Sequence, residues 1–162
     1  RLLADQDRAL WDHEMIAEGN ALVVESLTGG AQGPYGVHAA IAALHDEADT
    51  PEETDWPQIV ALYGVLETLS PSPIVSLGRS VAIAMRDGPE AGLSLLASMA
   101  NDPMMRGYHP YFVARGDLLR RMGRSAEAAQ DFRTAAGLAG SDPEREYYRR
   151  RAADAEADRR RS

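Results

Sequence analysis

The sequence predicts an all-α protein of about eight helices, paired into antiparallel hairpins that stack on one another. Three observations predict it. Apolar residues recur at three- and four-residue spacing through most of the 162 residues, and no segment alternates as a strand does. Pro, Gly and Asp-Pro or Ser-Pro pairs fall between those runs, where helices begin and end. The segment Tyr108 to Gly140 carries small residues where two helix backbones would touch and large ones where a gap needs filling.

Each element has its own signals. Residues 1–10 lack an initial Met and a helical stripe, so they read as a linker cut from a longer protein. Trp11, Met15, Leu22 and Leu27, with Ile16 and Val23 beside them, form the stripe of a first helix ending at Gly29-Gly30. Pro34 suits the first turn of the next, whose buried side is Val37, Ile41 and Leu44. The acidic run Asp46 to Asp55 reads as a solvated loop, with Asp55 as the cap of a third helix carrying Ile59, Leu62, Tyr63, Leu66 and Leu69. After Ser70-Pro71-Ser72-Pro73, a fourth helix holds Ile74, Leu77, Val81 and Met85. A fifth begins at Pro89 and stops at Asn101-Asp102-Pro103. The Tyr108–Gly140 hairpin supplies two more. Ser141-Asp142-Pro143-Glu144 opens the last helix, and its polar end, Ala153 to Ser162, is expected to fray. The resulting domain spans 11–158, followed by a frayed tail at 159–162.

Within the hairpin, Phe112, Gly116 and Leu119 share one stripe, Gly123 breaks the chain, and Ala128, Phe132 and Ala135 form the second stripe. Small, large aromatic and small residues in that order, in a unit of about 34 residues, resemble the tetratricopeptide repeat, whose hairpins stack into a right-handed superhelix. Two weaker copies share the second half. Ile59, Tyr63, Leu66 and Pro71 repeat the spacing of Ala128, Phe132, Ala135 and Gly140, as do Ala91, Leu95, Ser98 and Pro103.

The chain carries a formal charge of −8, and all 17 basic residues are Arg. Residues 1–100 hold 15 acids against 4 Arg, whereas residues 101–162 hold 13 Arg against 10 acids. The acidic part disfavours nucleic acid and suits a basic partner. With no Cys, disulfides and thiolate chemistry are excluded, and no apolar run approaches the roughly 18 residues of a membrane span. These features fit a cytoplasmic protein.

Nothing in the chain forms a convincing catalytic set. His38 and His45 stand two helical turns apart, about 10 Å, too far to share one metal ion. His13 and His109 have no nucleophile placed beside them. Thr28 to Gly33 lacks the strand and the lysine of a phosphate loop. Arg120-Arg121 and Arg149 to Arg151 are flanked by acids and read as solvated helix faces. No enzyme activity, cofactor or metal is expected.

Six strings, WDHEMIAEG at Trp11, GPYGVHAAIAALH at Gly33, DWPQIVALY at Asp55, PSPIVSLGRSVAIA at Pro71, DGPEAGLSLL at Asp87 and YHPYFVARGDLLRRMGR at Tyr108, run in order along nearly the whole chain. Together they resemble the tetratricopeptide-bearing C-terminal extension of a group of extracytoplasmic-function RNA polymerase sigma factors. Two positions depart from that pattern: Gly78 stands where the family has Asn, and Gly36-Val37-His38 where it tends to have Leu-Gln. The resemblance implies a regulatory segment of a sigma factor, whose DNA-reading and polymerase-binding regions lie N-terminal to it. It implies as partners those regions, polymerase or a regulatory protein, with no direct contact to nucleic acid. The groove of such repeats is lined by first helices, which makes Val113, Asp117, Arg120 and Arg121 the expected contact residues, with Arg79 or Ser80 one repeat earlier. A general repeat adaptor or small-ligand sensor is the alternative.

Overall fold

The computed structural model describes residues 32–48 and 51–161; the expected linker at 1–10 and the helix from Trp11 lie outside them. Every regular element among the described residues is helical: α1 (Gln32–Glu47), α2 (Trp56–Leu69), α3 (Pro73–Asp87), α4 (Pro89–Ser98), α5 (Pro103–Arg106), α6 (His109–Arg121), α7 (Ser125–Leu138) and α8 (Asp142–Arg161). A single 3-10 turn, Pro51–Glu53, precedes α2. The one-turn α5 has no counterpart in the sequence reading. The chain divides into two compact units, with the boundary between Arg86 and Asp87.

Local chemistry explains the joints. Asp55 accepts the Gln58 backbone N–H at 3.1 Å and caps α2, with Pro57 in the first turn. Ser72 does the same for α3 through the Val75 N–H at 3.1 Å. Asp102 takes the Met104 N–H at 2.9 Å ahead of Pro103. At the end of α6 the Gly123 N–H reaches the Arg120 carbonyl at 3.0 Å and the Arg124 N–H the Leu119 carbonyl at 2.9 Å. That doubled closure requires a left-handed residue, and Gly123 supplies it at φ 77°.

In the first unit, α1 and α2 pack together around Ile41, Trp56, Ile59, Tyr63 and Leu66, with Val75 and Ala82 of α3 joining the same core. Gly78 lets this happen: a Cβ there would lie 2.7 Å from the Tyr63 ring, so the ring rests on the α3 backbone. An Asn at that position, as in the sigma-factor pattern, needs Tyr63 to move. In the second unit α6 packs on α7 and on α4, and α8 packs along α7. Its interior is Leu96, Met105, Tyr111, Leu118, Phe132 and Tyr148, all essentially inaccessible.

Two expectations need correcting. The buried ladder of α4 is Gly92 and Leu96, while Ala91 and Leu95 are half-buried, so the repeat register slips by one residue there. Among the described residues α8 stays helical through Arg161 where fraying from Ala153 is expected, because Ala152 and Ala155 are buried and Arg120 holds Asp158.

Candidate functional site

The α6–α7 hairpin brings together most of the residues that the sequence singles out. Gly116 puts the two helices in contact, since a Cβ on it would stand 3.1 Å from the Phe132 ring and 3.3 Å from Asp131 Cβ. Leu119, Ala128, Phe132 and Ala135 are buried as the repeat stripe requires, and Phe112 is half-buried. Ile59, Tyr63 and Leu66 are likewise buried in the first unit.

One side of this hairpin is occupied by α8. Arg120 Nε donates to Asp158 Oδ2 at 2.6 Å. Asp117 accepts from Arg151 Nη2 at 3.2 Å and lies 2.9 Å from Arg121 Nη2. Arg151 is 2% exposed, with its guanidinium 4.6 Å from the Phe132 ring centroid and Nη1 donating to the Tyr147 hydroxyl at 3.1 Å. Burial works against the Arg120 charge, but the Asp158 hydrogen bond and the surrounding aspartates outweigh it and raise the pKa above its ordinary value. The same bond draws the Asp158 carboxyl below its ordinary value.

The expected contact residues therefore divide. Asp117, Arg120 and Arg121 lie together but face α8 and one another, and Val113 is 1% exposed, its apolar side chain drawn into the core. Arg79 and Ser80 belong to the first unit. Arg79 pairs loosely with Glu67 at 3.5 Å, and the buried Ser80 hydroxyl bonds back to the Ser76 carbonyl at 2.8 Å.

The hairpin also borders a cleft of about 490 Å³, with walls from α4, α6 and α7. Leu93, Ala97, Ala100 and Leu119 make it apolar on one side. On the other, Arg115 is clamped to Asp131, with Nε to Oδ2 and Nη2 to Oδ1 both at 2.8 Å. The guanidinium also lies 5.3 Å from the Tyr111 centroid and 5.5 Å from that of Phe112. Its bond to Asp131 outweighs burial and holds it charged at every accessible pH. At the rim Arg124 makes a second two-pronged pair with Glu127, at 2.8 and 2.7 Å. Sequence reasoning missed both pairs. The Arg124–Glu127 spacing of three was a usable signal, whereas Arg115 and Asp131 are joined only by the fold.

His13 lies outside the described residues, and the three described histidines are packed against neighbouring groups. His38 is buried, and burial lowers its pKa, so it stands neutral in the core of the first unit. His45 meets Trp56 edge to face at 5.1 Å, and His109 lies 5.6 Å from Tyr148 and 3.7 Å from Glu144. Among the described residues no three His, Asp or Glu side chains converge as metal ligands, and no helix is long and apolar enough to cross a membrane.

A protein of Rhizobium meliloti (strain 1021), described as uncharacterized, is similar to this chain, with 45% identity over 148 residues. The match covers 91% of this chain and 34% of the relative, so the chain spans about a third of that protein's length. No family model and no solved structure matches the chain.

Proposed function

We propose that this chain is a regulatory protein-interaction segment of an extracytoplasmic-function sigma factor, built from tetratricopeptide-like hairpins of a right-handed superhelix and devoid of catalytic activity. The observation that carries the repeat reading is the glycine–aromatic contact. Gly116 seats the Phe132 ring in one hairpin, and Gly78 seats Tyr63, the residue at the equivalent stripe position, in the other unit. The two contacts run in opposite chain order, Gly116 preceding its aromatic and Gly78 following it, but both are the close small-on-aromatic packing by which stacked helices bury a face on a neighbour.

The sigma-factor assignment rests on the six strings that resemble the extension of that family. It is supported by the relative, two thirds of which lie outside the matched segment and leave room for the sigma regions. The partners are those regions, polymerase or a regulatory protein, in the cytoplasm. The acidic first hundred residues favour a basic partner surface.

The test is binding between this chain and the separately expressed remainder of its parent protein, by calorimetry at about 0.05 M and 0.5 M salt, where the screening length changes several-fold. Binding that weakens as salt rises is expected. Absence of binding at both salts removes the intramolecular version. A general adaptor or ligand-sensor role is the second reading, favoured by the open cleft beside α4.

A further inference from the structure

We infer that the end of α8 is a displaceable cover over an acid-binding face of the α6–α7 hairpin, with Glu156 and Asp158 holding Arg133 and Arg120 in place of two carboxylates from a partner's acidic segment. This rests on the interaction-segment reading and names the partner's chemistry and the regulation of that face. α8 is held in two different ways along its length. From Tyr148 to Ala155 it is seated in the core by Tyr148, Arg151, Ala152 and Ala155, all buried. Beyond Ala155 no side chain through Arg161 is buried. That end, about 9 Å of helix, is tied to the hairpin by charge. Arg120 Nε donates to Asp158 Oδ2 at 2.6 Å, and Arg133 Nη2 donates to Glu156 Oε1 at 2.9 Å.

The charges that tie this end down are poised for exchange. Arg120 and Asp158 each keep 28% of their side-chain surface in solvent, and Arg133 keeps 50%. A solvent-reachable pair of this kind biases an equilibrium by at most about fivefold. Asp158 also stands at the negative end of the α8 macrodipole, where a carboxylate opposes its own helix. Arg120 offsets that misplaced charge, and a carboxylate brought by another chain meets the same guanidinium without the penalty. Nε of Arg120 is given to Asp158, and its other N–H groups make no hydrogen bond among the described residues, so the fork has room for a two-pronged acceptor. When the end of α8 lifts, Arg159, Arg160 and Arg161 leave with it. The uncovered face then carries Arg120, Arg121 and Arg133 against Asp117 and Asp154. A cation is repelled there, and a neutral segment leaves the guanidinium groups without counter-charge. Two carboxylates one residue apart on a helical turn reproduce what Glu156 and Asp158 supply.

The probe is an alanine-based helix of about 15 residues with Glu-Ala-Asp at its centre, and its companion carries Gln-Ala-Asn there. Each is titrated at about 0.05 M salt into the full chain and into the double variant Glu156→Gln with Asp158→Asn, with amide shifts and amide exchange as readouts. In the double variant, exchange should rise from Glu156 to Arg161 while Tyr148 to Ala155 stay protected and the melting temperature is kept. The apparent affinity is reduced by the closed fraction of the cover, so the acidic peptide should bind the double variant about tenfold more tightly than the unmodified chain. Its shifts should centre on Arg120 and Arg133, the Gln-Asn peptide should not bind, and adding Arg120→Gln and Arg133→Gln should abolish the gain. Equal affinity of the acidic peptide for both forms, equal binding of the neutral peptide, shifts centred on Arg149 and Arg150, or exchange that spreads through Ala152 overturns the inference. If the remainder of the parent protein fails to bind while the acidic peptide prefers the double variant, only the sigma-factor reading falls. If that remainder binds and neither it nor the peptide distinguishes the two forms, only the cover falls.

Discussion

Two glycines in the same hairpin should respond oppositely to the same substitution. Gly116 lies within α6 and Gly137 near the end of α7, and neither has a positive φ. Replacing a helical Gly by Ala gains up to ~1 kcal/mol by restricting the unfolded chain. At Gly137 nothing stands within 4 Å of the new methyl, so that gain is kept. At Gly116 the methyl meets the Phe132 ring at 3.1 Å and Asp131 Cβ at 3.3 Å. Neither neighbour gives way easily. Phe132 is fully buried under the Arg151 guanidinium, and Asp131 is clamped by Arg115. Overpacking of this kind costs about 1–3 kcal/mol. The net effect at Gly116 is therefore a loss of about 0–2 kcal/mol, and the two variants should differ by about 1–3 kcal/mol.

For a unit of this size each kcal/mol moves the melting temperature by roughly 4–8 °C. Calorimetric melts of Gly116→Ala and Gly137→Ala should therefore separate clearly, with the second at or above the parent protein. Phe132→Leu, combined with Gly116→Ala, should cost less than the sum of the two single changes, because the smaller side chain removes the clash. A Gly116→Ala variant as stable as Gly137→Ala would refute the close contact, and with it the repeat alignment built on Gly116 and Phe132.

Three further outcomes follow from the same geometry. Asp131→Ala strands Arg115, and because that side chain retains 31% exposure the loss should be about 2 kcal/mol, below the ~3–5 of a fully buried pair; denaturant melts of the double-mutant cycle with Arg115→Met measure it. Gly123→Ala should cost about 1–2 kcal/mol although its methyl meets open space, since φ is 77°, and Gly123→Asn should cost less. Asp158 has a folded pKa below its ordinary 3.8, so its contribution is complete above that value and is lost as pH falls through the lower folded one. Amide protection of α8, corrected for intrinsic exchange, should therefore drop below about pH 4 ahead of that of α7, and Asp158→Asn should remove that dependence.

The helix joints were legible because the chemistry that makes them is local. Asp55, Ser72, Asp102 and Gly123 act on backbone groups two to four residues away, within reach of any reading of the chain. The α4 register was not legible for the opposite reason. Ala91-Leu95 and Gly92-Leu96 are both small-then-large pairs four apart, and a helix of 10 residues has too few other apolar positions to choose between them. Tyr111 makes the choice by donating its hydroxyl to the Leu96 carbonyl at 2.7 Å, a contact that spans 15 residues of sequence. The floor of the cleft was hidden in the same way. Asp131 sits next to Phe132 and shares its buried face, which a composition rule assigns to solvent; only Arg115, 16 residues earlier, makes that burial tolerable.

The fate of Arg120 shows how a correct assignment of helix and face still leaves the occupant open. Stripe analysis places Asp117, Arg120 and Arg121 on a common side of α6, and they do lie together, but the helix across from them is the chain's own α8. Its sequence reads as a polar tail because its docking face is not a hydrophobic stripe. Tyr148, Ala152 and Ala155 supply a narrow apolar line, and Arg151 fills the centre as a flat cation over Phe132 with Asp117 at its edge. A guanidinium used in this way counts as charge in any composition and as packing in the fold. Charge reversal at Arg120 consequently tests α8 docking before it tests a partner: it sets a carboxylate against Asp158, and a binding loss in that variant is informative only where α8 amide protection is retained.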